Sequence, residues 1–327
     1  MGDRVEGGTG PQTADTAIMA SINCVTFNHA NYIRTALDSF LMQKTDFEYE
    51  LIIGEDCSSD GSREIICGYE KKFEGKMKPL YRDKNLGMAG NLMDCLERCT
   101  GQYIAVLEGD DFWTDDEKLQ KQAAFLDEHP EYVMTVHNWN IVSGSGAFIE
   151  KGSDYREFKT FEKEDLQKYY LPAQTSTIFV RNIAGELKEK YFKILKKYFW
   201  IPPDRCVSLI LLLYGKIAFL PDVMSSYRYY VEENGTNWSS KHDTNAKRNY
   251  LYAYVTALGM EWMSRDIGYP VDMTKAKVNF FKTAGAARRW DGGKNKHKMN
   301  FYRILMLLIE PHRIRMVKAI RRTHKIY

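Results

Sequence analysis

The chain has 327 residues, enough for one large domain or two, and its 44% hydrophobic content supplies a core. A formal net charge of only +3 gives no reason to expect a nucleic-acid or membrane binder from overall charge, and no run of about 18 apolar residues calls for a spanning helix. The charge is unevenly placed: from Pro270 to the end, fifteen Lys and Arg face three acids (Asp272, Asp291, Glu310), a net of +12 that leaves −9 of the total +3 on residues 1–269. Six cysteines (Cys24, Cys57, Cys67, Cys95, Cys99, Cys206) lack the paired spacing of a zinc site, and most sit in apolar runs. Buried free thiols, with no signal peptide in the polar residues 1–16, set the expectation of a cytoplasmic protein.

Residues 1–16 read as a disordered leader. Ile18 to Thr26 then reads as a strand, ending at Phe27-Asn28-His29-Ala30-Asn31. Tyr32 to Met42 carries helical apolar spacing at Ile33, Leu37, Phe40 and Leu41. A second strand, Tyr49 to Ile53, runs into Gly54-Glu55-Asp56-Cys57-Ser58-Ser59-Asp60-Gly61, and Ser62 opens a helix through about Phe73. A third strand spans Met77 to Tyr81, a polar loop holds Arg82 and Asn85, and a helix spans Met88 to Cys99. The fourth strand, Tyr103 to Leu107, runs into Glu108-Gly109-Asp110-Asp111.

Strand and helix thus alternate four times, which predicts an α/β fold with a mostly parallel sheet and helices on both faces. Ligands of such sheets bind at the carboxyl ends of the strands. Here three of those ends carry carboxylates and the fourth carries Asn28. In an extended chain Glu108 and Asp110 point the same way, and Gly109 leaves room for a ligand at the backbone. Carboxylates gathered at a buried strand end call for a cation, and Mg²⁺ is typically held by one or two carboxylates plus phosphate oxygens. The bland alternative is a solvated turn; Asp115 and Asp116 read as a cap for a helix from Glu117 to Glu128.

Beyond Glu128, Tyr132 to Val136 reads as a strand followed by His137, Asn138 and Trp139, and Ala173 to Val180 as another strand, with Thr175 and Ser176 on its wetter side. Residues 150–171 read as a charged, aromatic insertion. Asn249 to Met263 and Lys275 to Arg289 look helical.

These stretches carry a family resemblance. Val25-Thr-Phe-Asn-His29, Glu50 to Gly61, Asn85 to Asn91, Glu108-Gly-Asp-Asp-Phe-Trp113, Lys118 to Gln122, Pro203-Asp204 and Tyr227-Arg228, in that order, resemble a family 2 glycosyltransferase of the GT-A fold. The resemblance covers roughly residues 18–240. It implies a catalytic domain over 17–240 (nucleotide-sugar half 17–115, acceptor half 116–240), followed by a helical basic region over 241–327.

The resemblance further implies a metal-dependent inverting transfer of sugar from a nucleotide donor to a glycan or lipid-linked acceptor. Asp56 would accept a hydrogen bond from the base ring N–H. Thr26 and Asn28 would touch base or ribose, and Arg82 and Asn85 lie where nucleoside contacts are made. Glu55 stands where relatives often carry Asp. Glu108 takes the first acidic position of the Asp-x-Asp motif, Asp110 the metal-ligand position, and Asp111 a helper position; Mn²⁺ and Mg²⁺ both suit such oxygen ligands. Asp204 matches the general base and equally suits an N-cap. Tyr230 stands where relatives often carry a His that reaches metal or diphosphate. Arg228 reads as a phosphate binder or a structural partner, and Trp238 as a sugar-stacking ring or a core anchor. UDP is the default nucleotide, with GDP and TDP open.

Two other classes compete: a non-catalytic nucleotide- or carbohydrate-binding scaffold that keeps the fold, and a sugar nucleotidyltransferase. The latter needs a Gly-rich basic first loop, which Phe27-Asn-His-Ala-Asn31 is not. The basic tail reads either as a membrane-surface element or as a helical region packed on the body or on a second copy. No nucleic-acid motif accompanies it.

Overall fold

A computed structural model describes residues 19–168, 174–182, 193–198, 201, 203–230 and 246–274, with backbone alone for 166–168, 203–204 and 246–255. Residues 1–16, Trp238 and the run 275–327 lie outside the described residues.

Ten strands form one sheet in the order β3-β2-β1-β4-β9-β6-β10-β5, with β7 on β6 and β8 on β10. The first half follows the alternating pattern: β1 (Ala20–Thr26), α1 (Ile33–Leu41), β2 (Tyr49–Glu55), α2 (Ser62–Tyr69), β3 (Met77–Tyr81), α3 (Gly87–Arg98) and β4 (Tyr103–Glu108). All pairings among these four strands are parallel. The second half is mixed. It holds β5 (Phe112–Trp113), α4 (Lys118–Glu128), β6 (Tyr132–Val142), β7 (Phe148–Lys151), β8 (Lys159–Phe161), β9 (Phe179–Arg181), α5 (Pro203–Leu211), β10 (Lys216–Arg228) and α6 (Ala246–Asp266). There β9 runs antiparallel between β4 and β6, while β10 runs parallel to β6.

The period-2 alternation of the strands divides the core. Ala20, Ile22 and Cys24 of β1, Leu51 and Ile53 of β2, and Tyr103, Ala105 and Leu107 of β4 face a cluster closed by Ile33, Leu37 and Phe40 of α1, Ile66 of α2 and Leu119 of α4. Val25, Ile52 and Ile104 face the opposite cluster, closed by Cys95 of α3, Leu209 and Ile210 of α5, and Met260 and Met263 of α6. Helices therefore cover both faces, as a parallel sheet buried on both sides requires. The C-terminal helix α6 contributes directly to the second cluster, and Tyr198 donates a hydrogen bond to Asp266 at its end.

Three expectations are corrected. His137, Asn138 and Trp139 lie inside β6, which runs on to Val142, not in a loop after it. Asn138 is accommodated there because Ser153 Oγ and the Tyr155 N–H donate to its Oδ1, while its Nδ2 donates to the carbonyls of Tyr155 and Pro221. Thr175 and Ser176 lie in a 3₁₀ turn before β9, because the Gln174 side chain caps the Ser176 N–H at 2.7 Å and ends extended structure there. The stretch expected as a charged, aromatic insertion holds the end of β7 and the whole of β8 among its described residues, both on the main sheet. Of the six free cysteines four are buried, whereas Cys57 is half-buried and Cys67 exposed.

Lys118 is fully buried beside β6. Its Nζ donates to Gln122 Oε1 at 2.6 Å and sits 4.4 Å from the Trp113 ring centroid. Burial pulls its pKa down to about 7. Burial also holds His137 well below the usual histidine range, with the Lys118 charge adding to the effect.

Candidate active site at the carboxyl ends of the parallel strands

The loops after β1, β2 and β3 are fastened to one another. Asn28 adopts a left-handed φ of 57°, which Asn tolerates better than most residues. Its N–H donates to Ser58 Oγ at 2.9 Å, and its Oδ1 accepts the Ser59 N–H at 3.0 Å. The His29 N–H donates to Ser62 Oγ, and the Ala30 N–H to Asp60 Oδ2. Asp60 Oδ1 also accepts the Ser62 N–H at the start of α2, whose cap position is Gly61, and Asp56 takes no part in that helix start.

Asp56 is buried, its N–H bonded to the Thr26 carbonyl at 3.0 Å. Its Oδ1 accepts the Leu86 N–H at 2.7 Å, and its carbonyl accepts Asn85 Nδ2 at 3.1 Å. These bonds aim the carboxylate while Oδ2 makes no hydrogen bond to a described residue. Glu55 is used differently: it is fully buried, taking the Ser58 N–H at 2.6 Å and Arg63 Nε at 2.7 Å, so it shapes the second loop from below. Arg82 lies against α3, pairing with Asp94 at 2.6 Å and with Asn91 Oδ1 at 3.3 Å. Six of the residues expected at the nucleotide (Thr26, Asn28, Glu55, Asp56, Arg82, Asn85) thus meet in one three-loop cluster.

The acidic loop follows β4 beside it. Here the extended-chain expectation for Glu108 and Asp110 fails, because Gly109 and Asp110 form a turn closed by the Asp111 N–H on the Glu108 carbonyl at 3.0 Å. Gly109 leaves no room for a ligand. Its N–H bonds the Val25 carbonyl at 2.9 Å, and a Cβ there would lie 2.8 Å from the Thr26 Cβ and Oγ1 and 2.9 Å from Ile33 Cδ1. The glycine is needed so that the first loop and the acidic loop touch.

The two aspartates differ. Both oxygens of Asp111 are engaged, Oδ1 by the Arg228 N–H at 2.8 Å and Oδ2 by Gln174 Nε2 at 2.9 Å. Burial first, then the charges of Asp110 and Glu108, push its carboxyl well above the usual range, against the pull of those two hydrogen bonds. Asp110 is buried as well, yet its Oδ1 has no hydrogen-bond partner, while Oδ2 accepts Tyr230 OH at 3.2 Å and stands 3.8 Å from His29 Nε2. A bare buried carboxylate oxygen is a donor that a hard divalent cation would take; with Asp111 already engaged, Asp110 is the residue of this turn that fits such an ion.

Arg228 is the brace of this loop. Its Nε donates to the Asp110 carbonyl at 2.8 Å, its Nη1 to the Gly144 carbonyl at 2.9 Å, and the guanidinium lies 4.9 Å from the Tyr32 ring centroid. These contacts hold the turn and the Ser143–Gly144 segment together. Tyr230 packs on Tyr32 with centroids 4.8 Å apart.

Asp115, Asp116 and Glu117 bring their carboxylates within 4.8 Å of one another, the one such trio of His, Cys, Asp or Glu among the described residues. Lys44 and Lys121 pair with them and Asp115 Oδ1 accepts the Glu117 N–H, so this is an ion-paired helix start. Asp204 is the second residue of α5, a backbone position only. Gln174 and His29 are site residues that sequence reasoning passed over. Gln174 carried no motif, and His29 was read only as loop chemistry.

Residues 21–186, just over half of the chain, match the family described as "Glycosyl transferase family 2". An uncharacterised protein of Mycobacterium tuberculosis is 34% identical over 208 residues, 64% of this chain and 58% of that protein. The putative teichuronic acid biosynthesis glycosyltransferase TuaG of Bacillus subtilis is 31% identical over 170 residues, 52% of this chain and 65% of its own. Among solved structures, Staphylococcus aureus TarS 1–349 in complex with UDP-GlcNAc is similar with a TM-score of 0.54 at 21% identity, over 74% of this chain and 66% of that one, a likeness of fold. The chain therefore spans less than two thirds of the length of these relatives. With a profile match over half its length, on strands whose polar ends form one cluster, the chain belongs to glycosyl transferase family 2.

Proposed function

We propose that this protein transfers a sugar from a UDP-linked donor to a hydroxyl of a glycan or lipid-linked acceptor, with inversion at the anomeric carbon. The observation that carries this reading is the juxtaposition of a built three-loop cluster with a buried, unpartnered Asp110 oxygen. The UDP-GlcNAc complex of the fold neighbour and the glycosyltransferase naming of the relatives support it.

In this reading Asp56 presents Oδ2 to the ring N–H of the base, a role open only to an acceptor. Asn28 and Thr26 flank the base and ribose, and Glu55 with Arg63 holds the second loop in shape. Asp110 holds Mn²⁺ or Mg²⁺, with Asp111 and Arg228 fixing the turn that aims it. Bound there, the cation neutralises charge on the leaving diphosphate. Asp204 takes the acceptor hydroxyl proton as that oxygen attacks the anomeric carbon and the bond to the diphosphate breaks. Trp238 stacks on the sugar or the acceptor.

The test is a donor screen: purified protein, Mn²⁺ or Mg²⁺, a panel of nucleotide sugars, and release of nucleoside diphosphate as readout. Metal-dependent hydrolysis of a UDP-sugar, lost in Asp110→Ala, is expected. The absence of both hydrolysis and metal-dependent UDP binding would refute the assignment, while metal-dependent binding without turnover, even with acceptors supplied, would favour a non-catalytic scaffold.

A further inference from the structure

Five buried side-chain polar atoms among the described residues have no hydrogen-bond partner: Asn23 Oδ1, Thr26 Oγ1, His29 Nδ1, Asp110 Oδ1 and His137 Nε2. Three of the five (Thr26, His29 and Asp110) fall at one corner, where the first loop meets the acidic turn. Leaving a buried donor or acceptor unmade costs about 1–3 kcal/mol per group; the bare oxygens of Thr26 and Asp110 mark the place at the acidic turn, while the bare His29 atom is Nδ1, the ring nitrogen other than the one that faces Asp110.

His29 is the informative member. Its backbone is tied down, the N–H on Ser62 Oγ at 2.9 Å and the carbonyl accepting the N–H groups of Tyr32 and Ile33 at 2.8 Å, so the ring is delivered to a fixed place. The side chain is 14% exposed and Asp110 is 10% exposed. Nε2 faces Asp110 Oδ2 at 3.8 Å, beyond hydrogen-bond reach. With bonds of roughly 2.2 Å, octahedral neighbours stand about 3.1 Å apart and opposed ligands about 4.4 Å, so 3.8 Å falls between the two, within the span of one ion's ligand shell at an angle of about 120°. Tyr230, the other side chain at Asp110, is a phenol with a pKa near 10 and a poor ligand at neutral pH.

We propose that the His29 imidazole is a second protein ligand of the divalent cation, bound through Nε2 alongside Asp110. The inference rests on the reading above, that a cation binds at Asp110, and goes beyond it in the ligand set. An imidazole ligand also favours Mn²⁺ over Mg²⁺, since nitrogen suits the transition metal and the hard magnesium ion prefers oxygen.

The experiment reads the metal directly. Full-length protein labelled with ¹⁵N-histidine is loaded with Mn²⁺ and UDP and measured by pulsed electron paramagnetic resonance, with Mn²⁺ affinity taken from the free-ion signal. A ¹⁵N coupling to Mn²⁺ is expected in the wild type and its loss in His29→Gln. Mn²⁺ affinity should fall on the order of 10–100-fold in that variant, the scale on which ligand-shell changes act. The wild-type spectrum stands by itself should the variant fold poorly. Asp110-dependent Mn²⁺ binding without histidine nitrogen coupling would overturn this ligand assignment and leave the proposed function intact. Weaker UDP affinity in His29→Gln without that coupling would also overturn it, pointing to a hydrogen bond to the diphosphate. Absence of any Mn²⁺ binding with UDP would overturn both.

Discussion

Gly109→Ala tests whether the acidic turn and the first loop are held in contact by a missing side chain. A Cβ at Gly109 would stand 2.8 Å from Thr26 and 2.9 Å from Ile33. Carbon atoms rest at about 3.5–4.0 Å, so roughly 0.7–1 Å of separation must be created. Neither neighbour yields easily: Thr26 ends β1, Ile33 opens α1, and both are buried. Overpacking of this kind costs ~1–3 kcal/mol, offset by ~0.4–1 kcal/mol from the lower entropy of an unfolded alanine chain. A net loss of about 1–2 kcal/mol lowers Tm by roughly 2–8 °C in a domain of this size. A shift of about 1 Å at Asp110 also lowers donor hydrolysis, by on the order of 10²-fold. The assay is a thermal melt and metal-dependent hydrolysis on one preparation. Gly68→Ala in helix α2, where a Cβ meets nothing within 4 Å, serves as control and raises Tm. A Gly109→Ala protein with unchanged Tm and unchanged hydrolysis would refute the contact argument.

Asp204→Asn should lower kcat by ~10²–10⁴-fold while leaving UDP affinity in place; near-normal turnover removes Asp204 from the role of base. Lys118→Met should change how stability depends on pH. Because burial lowers the Lys118 pKa from 10.5 to about 7, the unfolded chain binds more protons between those values, and wild-type stability rises with pH across that window. Urea melts at pH 7 and pH 9.5 should therefore show the variant's stability relative to wild type falling by up to roughly 3 kcal/mol between the two. A difference that does not change with pH would refute the lowered pKa, showing that Lys118 stays a charged ammonium in the fold across that range.

The parallel half of the fold was legible because its signal is local. Each strand there is a short apolar run whose end is marked by polar residues, and both features act within a few positions. Polar residues mislead where tertiary partners satisfy them. His137-Asn138-Trp139 looked like a loop, yet Asn138 sits in β6 because Ser153, Tyr155 and Pro221 supply its bonds. Ala173 to Val180 looked extended, but the Gln174 side chain offers the backbone a turn instead. Which loops gather at the candidate site was readable and how their side chains pair was not. Asp110 and Asp111 are neighbours in sequence, and only the arrival of Arg228 and Gln174 at Asp111 leaves Asp110 as the bare one. The approach of His29 to Asp110 joins residues 81 positions apart in the numbering, a distance no motif spans.

The place of β10 in the sheet has a consequence for how the molecule is bounded. The family match ends at residue 186, but β10 lies between β6 and β5 and hands Arg228 to the acidic turn. The segment that inheritance marks most clearly is therefore not the segment that stands alone physically. A chain cut at the end of the match would keep the acids of the turn after β4 but lose Asp204 and the strand that tells those acids apart, leaving β5, β6 and β8 each without the partner that β10 had been.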